Sequence, residues 1–348
     1  MARILYGVSG EGFGHATRAK EIVSYLQSAG HQVQLVSYDK GFDLLSQFFP
    51  VERISGLRLS YADNEVKYLA TIGHTLLKSK SSIESVDKVK TLVKEFKPDL
   101  VITDFEPTVN FVANLLRLPL ISLDNQHLIT KTDIEIPEAW YSDYIITKLV
   151  VRFMVFNPKR YLVLSFFDCQ ALDNKTIVVK PVVRQEVLKL RPSNGDYILV
   201  YLTSEFDKII PLLEASGHKY IVYGLSRANA GSRIIFKPLG SADFLTDLES
   251  CQGIIATAGF SLISEALYLH KPILALPIKS QFEQYLNAYY LAKLGYGLMS
   301  LELSMPDLEL FRSSLDLYRA NLASYQQQDN SELFTVLENC LKELVKQD

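Results

Sequence analysis

The stretch "GEGFGHATR" (Gly10–Arg18) sets Gly10, Gly12 and Gly14 ahead of His15, with Arg18 three residues further on. Histidine titrates near neutral pH and is the natural general base for a hydroxyl. The glycines let backbone approach a ligand closely, and the N-terminus of a helix beginning here favours negative charge. Such a base gains from a carboxylate that holds its other ring nitrogen, fixes its tautomer and raises its basicity. "VITDFEP" offers two: Asp104, at the end of an apolar run, and Glu106. "DNQH" (Asp124–His127) supplies a further polar set, suited to an acceptor.

A second group lies between Thr257 and Gly297. Ala258, Gly259, Phe260 and Ser261 form a turn between an apolar run and a helical one. Free N–H groups at such a helix start bind phosphate without a basic residue. Glu265, one turn into the helix, is placed to take both hydroxyls of a ribose. Glu283 and Gln284 offer polar groups suited to sugar hydroxyls, and Asn287 is expected to open the next helix.

A dinucleotide is the rival ligand for the first loop. Its fingerprint is G-x-G-x-x-G/A. Counted from Gly10 the third position is His15, and counted from Gly12 it is Thr17, so the pattern fails in both registers. Asp39 stands where a ribose-binding acid would, which keeps an NAD(P) or flavin oxidoreductase among the readings.

The elements that must position these groups follow from periodicity. "RILYGV" reads as a buried strand. Ala16, Ala19, Ile22, Val23, Leu26 and Ala29 form one apolar helical stripe, Gly30 ends that helix, and "HQVQLVSYD" alternates into a second strand. Strand, crossover helix and parallel strand make a doubly wound sheet. "PDLVITDF", "PLISLDN" and "RYLVLSFF" extend it, the last as its final strand. The alternation restarts at Asp196 with "DYILVYLTS" and runs through "KYIVYG", "RIIFKP", "CQGIIATAG" and "KPILALPI". The fold class expected is α/β, with two doubly wound Rossmann-like domains facing each other across a cleft. The first spans 1–177, a Pro-containing polar linker 178–195, the second 196–305, and helices over 306–348 pack back toward the first.

The length of 348 residues suits two such domains, and 48% hydrophobic with 22% charged residues marks a folded globular chain. A net charge of −3 gives no pull toward nucleic acid. Cys169, Cys251 and Cys340 make neither a zinc spacing nor a disulfide framework, so a reducing cytoplasm is the expected setting. The N-terminus lacks the long apolar stretch of a signal peptide. Lys148, Arg152, Pro158, Lys159 and Arg160 interrupt the most apolar region, Tyr144–Phe167, which fails as a membrane span. It reads as a buried helix and a strand; the alternative is a basic, apolar surface for peripheral membrane contact or a lipid-linked acceptor.

In order along the chain, Gly259, Ser264-Glu265, Pro272, Pro277, Glu283-Gln284 and Asn287-Ala288, with "GEGFGHATR" and "PVVR" (Pro181–Arg184), resemble the GT-B glycosyltransferases, and within them the MurG-like group related to the UDP-glycosyltransferases. The resemblance covers the whole chain and is specific in these patches. It implies a metal-independent, inverting hexosyl transfer from a nucleotide-sugar, a UDP-sugar, to a hydroxyl acceptor, in cell-surface glycan or glycolipid synthesis. The nucleotide-sugar is a co-substrate and no cofactor is implied. His15 and Asp104 take the catalytic roles. Gly12, Gly14, Arg184, Thr203, Ser204, Phe244, Ala258, Gly259, Phe260, Ser261, Glu265, Glu283 and Gln284 take the donor, with the base lying around Lys237–Phe244. Acceptor recognition is expected in the loop Leu57–Lys90 and near Lys148–Arg160. Ala258 replaces a glycine of the family's turn, and "YLTSEF" replaces a glycine-containing loop. The chain has no Asp-x-Asp, and Thr257 stands where retaining relatives carry a second glutamate. A nucleotide-sugar epimerase of the same fold and a non-catalytic nucleotide-sugar binder are the remaining alternatives.

Overall fold

β1 (Arg3–Val8) is buried along all but its first residue. In α1 (Gly14–Ser28) the helical period gathers Ala16, Ala19, Ile22, Val23 and Leu26 onto one fully buried face. Ala29, expected in that stripe, is exposed: it is the C-cap, and Gly30 beyond it takes a φ of +86°. The computed structural model describes residues 1–56, 61–62, 65–66, 80–202, 209–224 and 233–345. Thr203, Ser204 and most of the loop expected to recognise an acceptor, 57–79, lie outside them.

The chain then runs through β2 (Gln32–Ser37), α2 (Asp39–Leu45), β3 (Val51–Arg53), a two-stranded antiparallel pair β4 (Tyr61–Ala62) and β5 (Glu65–Val66), and α3 (Lys80–Phe96). Next come β6 (Leu100–Asp104), α4 (Pro107–Leu115), β7 (Leu120–Asp124), the short α5 (Leu128–Lys131), α6 (Tyr141–Met154), β8 (Arg160–Leu164) and β9 (Thr176–Val179). The sheet is parallel in the order β3-β2-β1-β6-β7-β8-β9. "RYLVLSFF" is therefore not the last strand. Thr176–Val179 pairs with β8 along its length, so the segment read as linker begins inside the sheet. One face of the sheet packs Leu5, Val36 and Val101 against Val89 and Val93 of α3 and Val109 and Val112 of α4. α6 buries Val150, Val151 and Met154 but leaves Ile145, Leu149 and Phe153 exposed, so the helix read as buried is apolar on both sides.

The second unit runs from Val183 to Asp329. It contains α7 (Gln185–Leu188), β10 (Ile198–Tyr201), α8 (Ile210–Ala215), β11 (Tyr220–Tyr223), β12 (Ile234–Lys237), α9 (Phe244–Ser250) and β13 (Ile254–Ala256). α10 (Phe260–Tyr268), β14 (Ile273–Ala275), α11 (Phe282–Lys293), β15 (Gly297–Met299), α12 (Met305–Ser313) and α13 (Leu315–Leu322) complete it. Its parallel sheet has the order β12-β11-β10-β13-β14-β15, with β15 an addition to the strands expected. The tail from 306 is not one block. Leu308, Phe311, Leu315 and Tyr318 of α12 and α13 belong to the second unit's core. α14 (Ser331–Leu344) belongs to the first unit, where Phe334 stacks on Tyr25 at 4.0 Å and Glu343 binds Arg160. Among the described residues no helix is long and apolar enough to cross a membrane.

Gly10 is required by a close approach: a Cβ there would lie 2.1 Å from the backbone carbonyl oxygen of Tyr38. Gly10→Ala is expected to lower stability by about 1–3 kcal/mol through forced backbone displacement, read as a lower thermal midpoint. An unchanged midpoint would show that the loop gives way freely.

Candidate active site

In the first unit the strand order reverses between β1 and β6, the position at which open parallel sheets take their ligands. Val8 and Asp104 are register partners at the ends of these two strands. Gly12, in the loop between β1 and α1, has a φ of +82°, a conformation that glycine adopts without strain, and a Cβ there would meet nothing within 4 Å. Gly14 opens α1 and His15 is its second residue.

His15 Nδ1 stands 2.7 Å from Asp104 Oδ1, and both residues are buried. The carboxylate calls for the proton on Nδ1, which leaves the lone pair on Nε2. Gln126 Nε2 is 3.5 Å from that second nitrogen, too long for a firm hydrogen bond. Arg18, three residues on and on the same face of α1, completes the group. Its Nε donates to Asp104 Oδ2 at 2.6 Å, its Nη2 donates to Oδ1, and its Nη1 donates to Asn125 Oδ1 at 2.7 Å. Nη2 also stands 2.8 Å from His15 Nδ1, so two N–H groups converge on one carboxylate oxygen. Burial works against the charge on Arg18, but the attraction of Asp104 outweighs it and holds the guanidinium pKa above its ordinary value.

Glu106 has a different task. Its two oxygens accept from the backbone N–H groups of Thr108 at 3.0 Å and Val109 at 2.6 Å, capping α4. Burial pushes its carboxyl above the usual range against the pull of those N–H groups. The choice between Asp104 and Glu106 that the sequence left open thus falls to Asp104. One strand along, "DNQH" closes on itself. His127 Nδ1 lies 2.8 Å from both Asp124 oxygens, and Ser122 Oγ donates to Asp124 Oδ2 at 2.7 Å. Burial raises the Asp124 pKa, but His127 and the bonds it accepts overcome this and bring it down to about 2.

In the second unit the reversal falls between β10 and β13. Gly259 is the N-cap of α10 and brings no side chain to cap it, and Phe260 and Ser261 are the first two residues of the helix. A Cβ on Gly259 would meet nothing within 4 Å, so this glycine leaves open space in front of the helix. Asn287 lies in the middle of α11, which starts at Phe282 and not at Asn287. Its Nδ2 donates to Ala258 O at 3.0 Å and pins the turn, while its buried Oδ1 has no partner among the described residues.

Glu265 is buried and forked by Arg184, whose Nε and Nη2 donate to its two oxygens at 2.5 and 2.6 Å. The two residues expected on ribose and diphosphate are therefore bound to each other. A carboxylate has about four lone-pair sites and a guanidinium five N–H donors, so each retains capacity for a ligand. Phe244 packs edge-on against Tyr201 and Tyr223 at 5.4 and 5.1 Å. Beside it Lys237 donates to Asp247 at 2.6 Å, as does the Tyr223 hydroxyl at 2.6 Å. Glu283 lies in the first turn of α11. Gln284 binds its own loop, accepting from Ile278 N–H at 3.0 Å and donating to Gln281 Oε1 at 2.7 Å. Among the described residues no group of three or more His, Cys, Asp or Glu side chains is arranged to hold a metal ion.

A family model described as glycosyl transferase family 1 matches residues 2–316. The chain is 26% identical over 333 residues to an uncharacterized glycosyltransferase of Methanosarcina mazei, and 25% identical over 334 residues to one of Methanosarcina acetivorans. Each match covers 85% of both chains. Among solved structures, the glycotransferase of kitacinnamycin superposes with a TM-score of 0.73 at 13% identity, covering 99% of each chain. Phytolacca americana UGT2, complexed with UDP-2-fluoro-glucose and pterostilbene, superposes with a TM-score of 0.68 at 16% identity, covering 98% of this chain and 100% of that one. The fold, two Rossmann-like domains, is that of the GT-B glycosyltransferases.

Two outcomes follow from the buried charges. Arg18→Ala leaves Asp104 without its guanidinium and is expected to cost about 3–5 kcal/mol of stability, seen as a large fall in thermal midpoint. A midpoint like wild type would show that His15 alone neutralises the carboxylate. Asp124, with its folded pKa lowered from 3.8 to about 2, contributes stability that is complete above its unfolded value and is lost as pH falls through about 2. That contribution is on the order of 2 kcal/mol, so wild type and Asp124→Asn should converge in stability under strong acid; a constant gap would contradict the linkage.

Proposed function

The chain belongs to glycosyl transferase family 1, and on that premise we propose that it is an inverting, metal-independent enzyme moving a hexose from a UDP-sugar to a hydroxyl acceptor. The observation that carries this reading is the buried His15–Asp104 pair beside the glycine loop. His15 Nε2 takes the acceptor proton while the acceptor oxygen bonds to the anomeric carbon. The bond from that carbon to the diphosphate oxygen breaks with its electron pair going to UDP, and a single displacement inverts the centre. Asp104 stabilises the imidazolium that forms. The second unit takes the donor. The N-terminus of α10 and the guanidinium of Arg184 suit the leaving diphosphate, and Glu265 suits the ribose hydroxyls. The exposed Ile145, Leu149 and Phe153 of α6 support a lipid-linked acceptor.

His15→Ala is expected to lower kcat by about 10²–10⁴-fold while the thermal shift caused by UDP persists, since Arg184, Glu265 and the α10 N-terminus lie in the second unit. Glu265→Gln should abolish that UDP shift. Gly259→Ala should keep the wild-type melting temperature and weaken UDP binding. Stabilisation by NAD or NADP and not by UDP would defeat the transferase reading, and a product retaining the donor's anomeric configuration, read by NMR, would defeat inversion.

A further inference from the structure

A pocket of about 210 Å³ lies in the first unit, lined by residues of α5, the end of α6 and β8. We propose that it binds a phosphate group, held by His127, Thr130, Tyr161 and Arg152. The proposal stands on the first unit alone and does not depend on the transfer mechanism above.

Residues with polar atoms left unpartnered among the described residues line this pocket. His127 gives Nδ1 to Asp124, and its Nε2 has no hydrogen-bond partner among the described residues. Thr130 is buried, with a relative exposure of 7%, and its Oγ1 has no partner among the described residues. The Tyr161 ring packs on His127 at 4.9 Å and carries the Lys131 ammonium at 4.2 Å, while its hydroxyl makes no hydrogen bond among the described residues. Burial pushes that phenol up to about 12, so it is a neutral donor at ordinary pH. A buried polar atom left unsatisfied is costly, and several facing one cavity mark a place for an acceptor-rich ligand.

The charges select an anion. Facing the pocket are His127 with Asp124 at 2.8 Å, Lys131 with Asp173 at 2.9 Å, and Arg152. The Lys131–Asp173 pair balances internally, and the Asp124 carboxylate, its pKa brought down to about 2, is engaged by His127 Nδ1 and Ser122 Oγ. Arg152 has no ion-pair partner among the described residues and brings the pocket an uncommitted cation. Three oxygens and a negative charge, as a phosphate monoester presents, match these donors.

Size excludes larger ligands. At roughly 30 Å³ for each water, the pocket equals about seven waters, enough for a phosphate group and the atoms joining it. Small-molecule sites run from about 300 Å³ upward, so the pocket suits one small group and not the enclosure of a whole nucleotide-sugar. Ser122 donates to Asp124 and touches the Nδ1 side of His127, so it orients the pair and is not placed as a nucleophile. Phe156 and Arg152 of the rim are exposed, which admits either a soluble phosphate or a lipid headgroup.

The test is an NMR titration of the histidine ring resonances with inorganic phosphate, against chloride at equal ionic strength. A saturable shift of the His127 signals, identified by their loss in His127→Gln, is expected. Arg152→Ala, at an exposed position, should fold as wild type and weaken the response by about tenfold or more. In parallel, co-sedimentation compares vesicles containing phosphatidic acid, a monoester, with vesicles containing phosphatidylserine. Saturation by free phosphate assigns a soluble ligand. Retention on phosphatidic acid alone, reduced in Arg152→Ala, assigns a lipid headgroup. The proposal is overturned by the absence of both responses, by a phosphate response undiminished in Arg152→Ala, or by retention on both vesicle types alike without a phosphate response.

Discussion

Asp104 is fully buried, and a buried carboxylate is tolerable only where charge and hydrogen bonds replace water. Arg18 supplies most of that replacement, with His15 completing it. The carboxylate comes from the end of β6, both of its partners from the first turns of α1, and the oxygen that holds the rest of the guanidinium from Asn125 after β7. A shift of any one of these elements would expose or unpair the charge. The position of His15 is thus enforced by the need to neutralise Asp104, which is a stronger constraint than the packing of an imidazole alone. The same arrangement has a chemical consequence. Asp104 divides its hydrogen bonds between a permanent cation and the imidazole, so it fixes the orientation of His15 on one side while Arg18 holds the other.

The second unit uses the same chemistry under looser burial. Arg184 and Glu265 form a two-point fork, yet the arginine remains partly exposed where Arg18 is not. A sealed pair holds structure, whereas a pair with one side open can accept a further ligand. The empty space before Gly259 and the pinned turn at Ala258 give the α10 N-terminus the same quality, rigid in backbone and unoccupied in front.

The pattern of alternating strand and helix was legible because parallel strands covered on both faces must be apolar throughout, and "LVITD" and "LISLD" read so plainly. The edge strands were not. Thr176–Val179 and Gly297–Met299 are short and sit among polar or turn-forming residues, and pairing with a neighbouring strand makes them strands. Arg18 was visible at three residues from His15, a spacing that shares a helical face, but nothing local says that its charge turns inward. The division of the tail between the two units was likewise hidden, since α13 and α14 are both amphipathic and only the surface each meets tells them apart.

By itself the sequence determined the two doubly wound sheets, the bare loop ahead of His15 and the acidic ends of β6 and β7, because periodicity and glycine content are local properties. Tertiary structure decided which acid serves which base. Asp104 and Glu106 are two residues apart and chemically alike. One faces a helix carrying an arginine and a histidine, and the other turns back to cap its own helix. That difference lies in the direction of two side chains at the end of a strand, and direction at such a point is set by what has been packed against it.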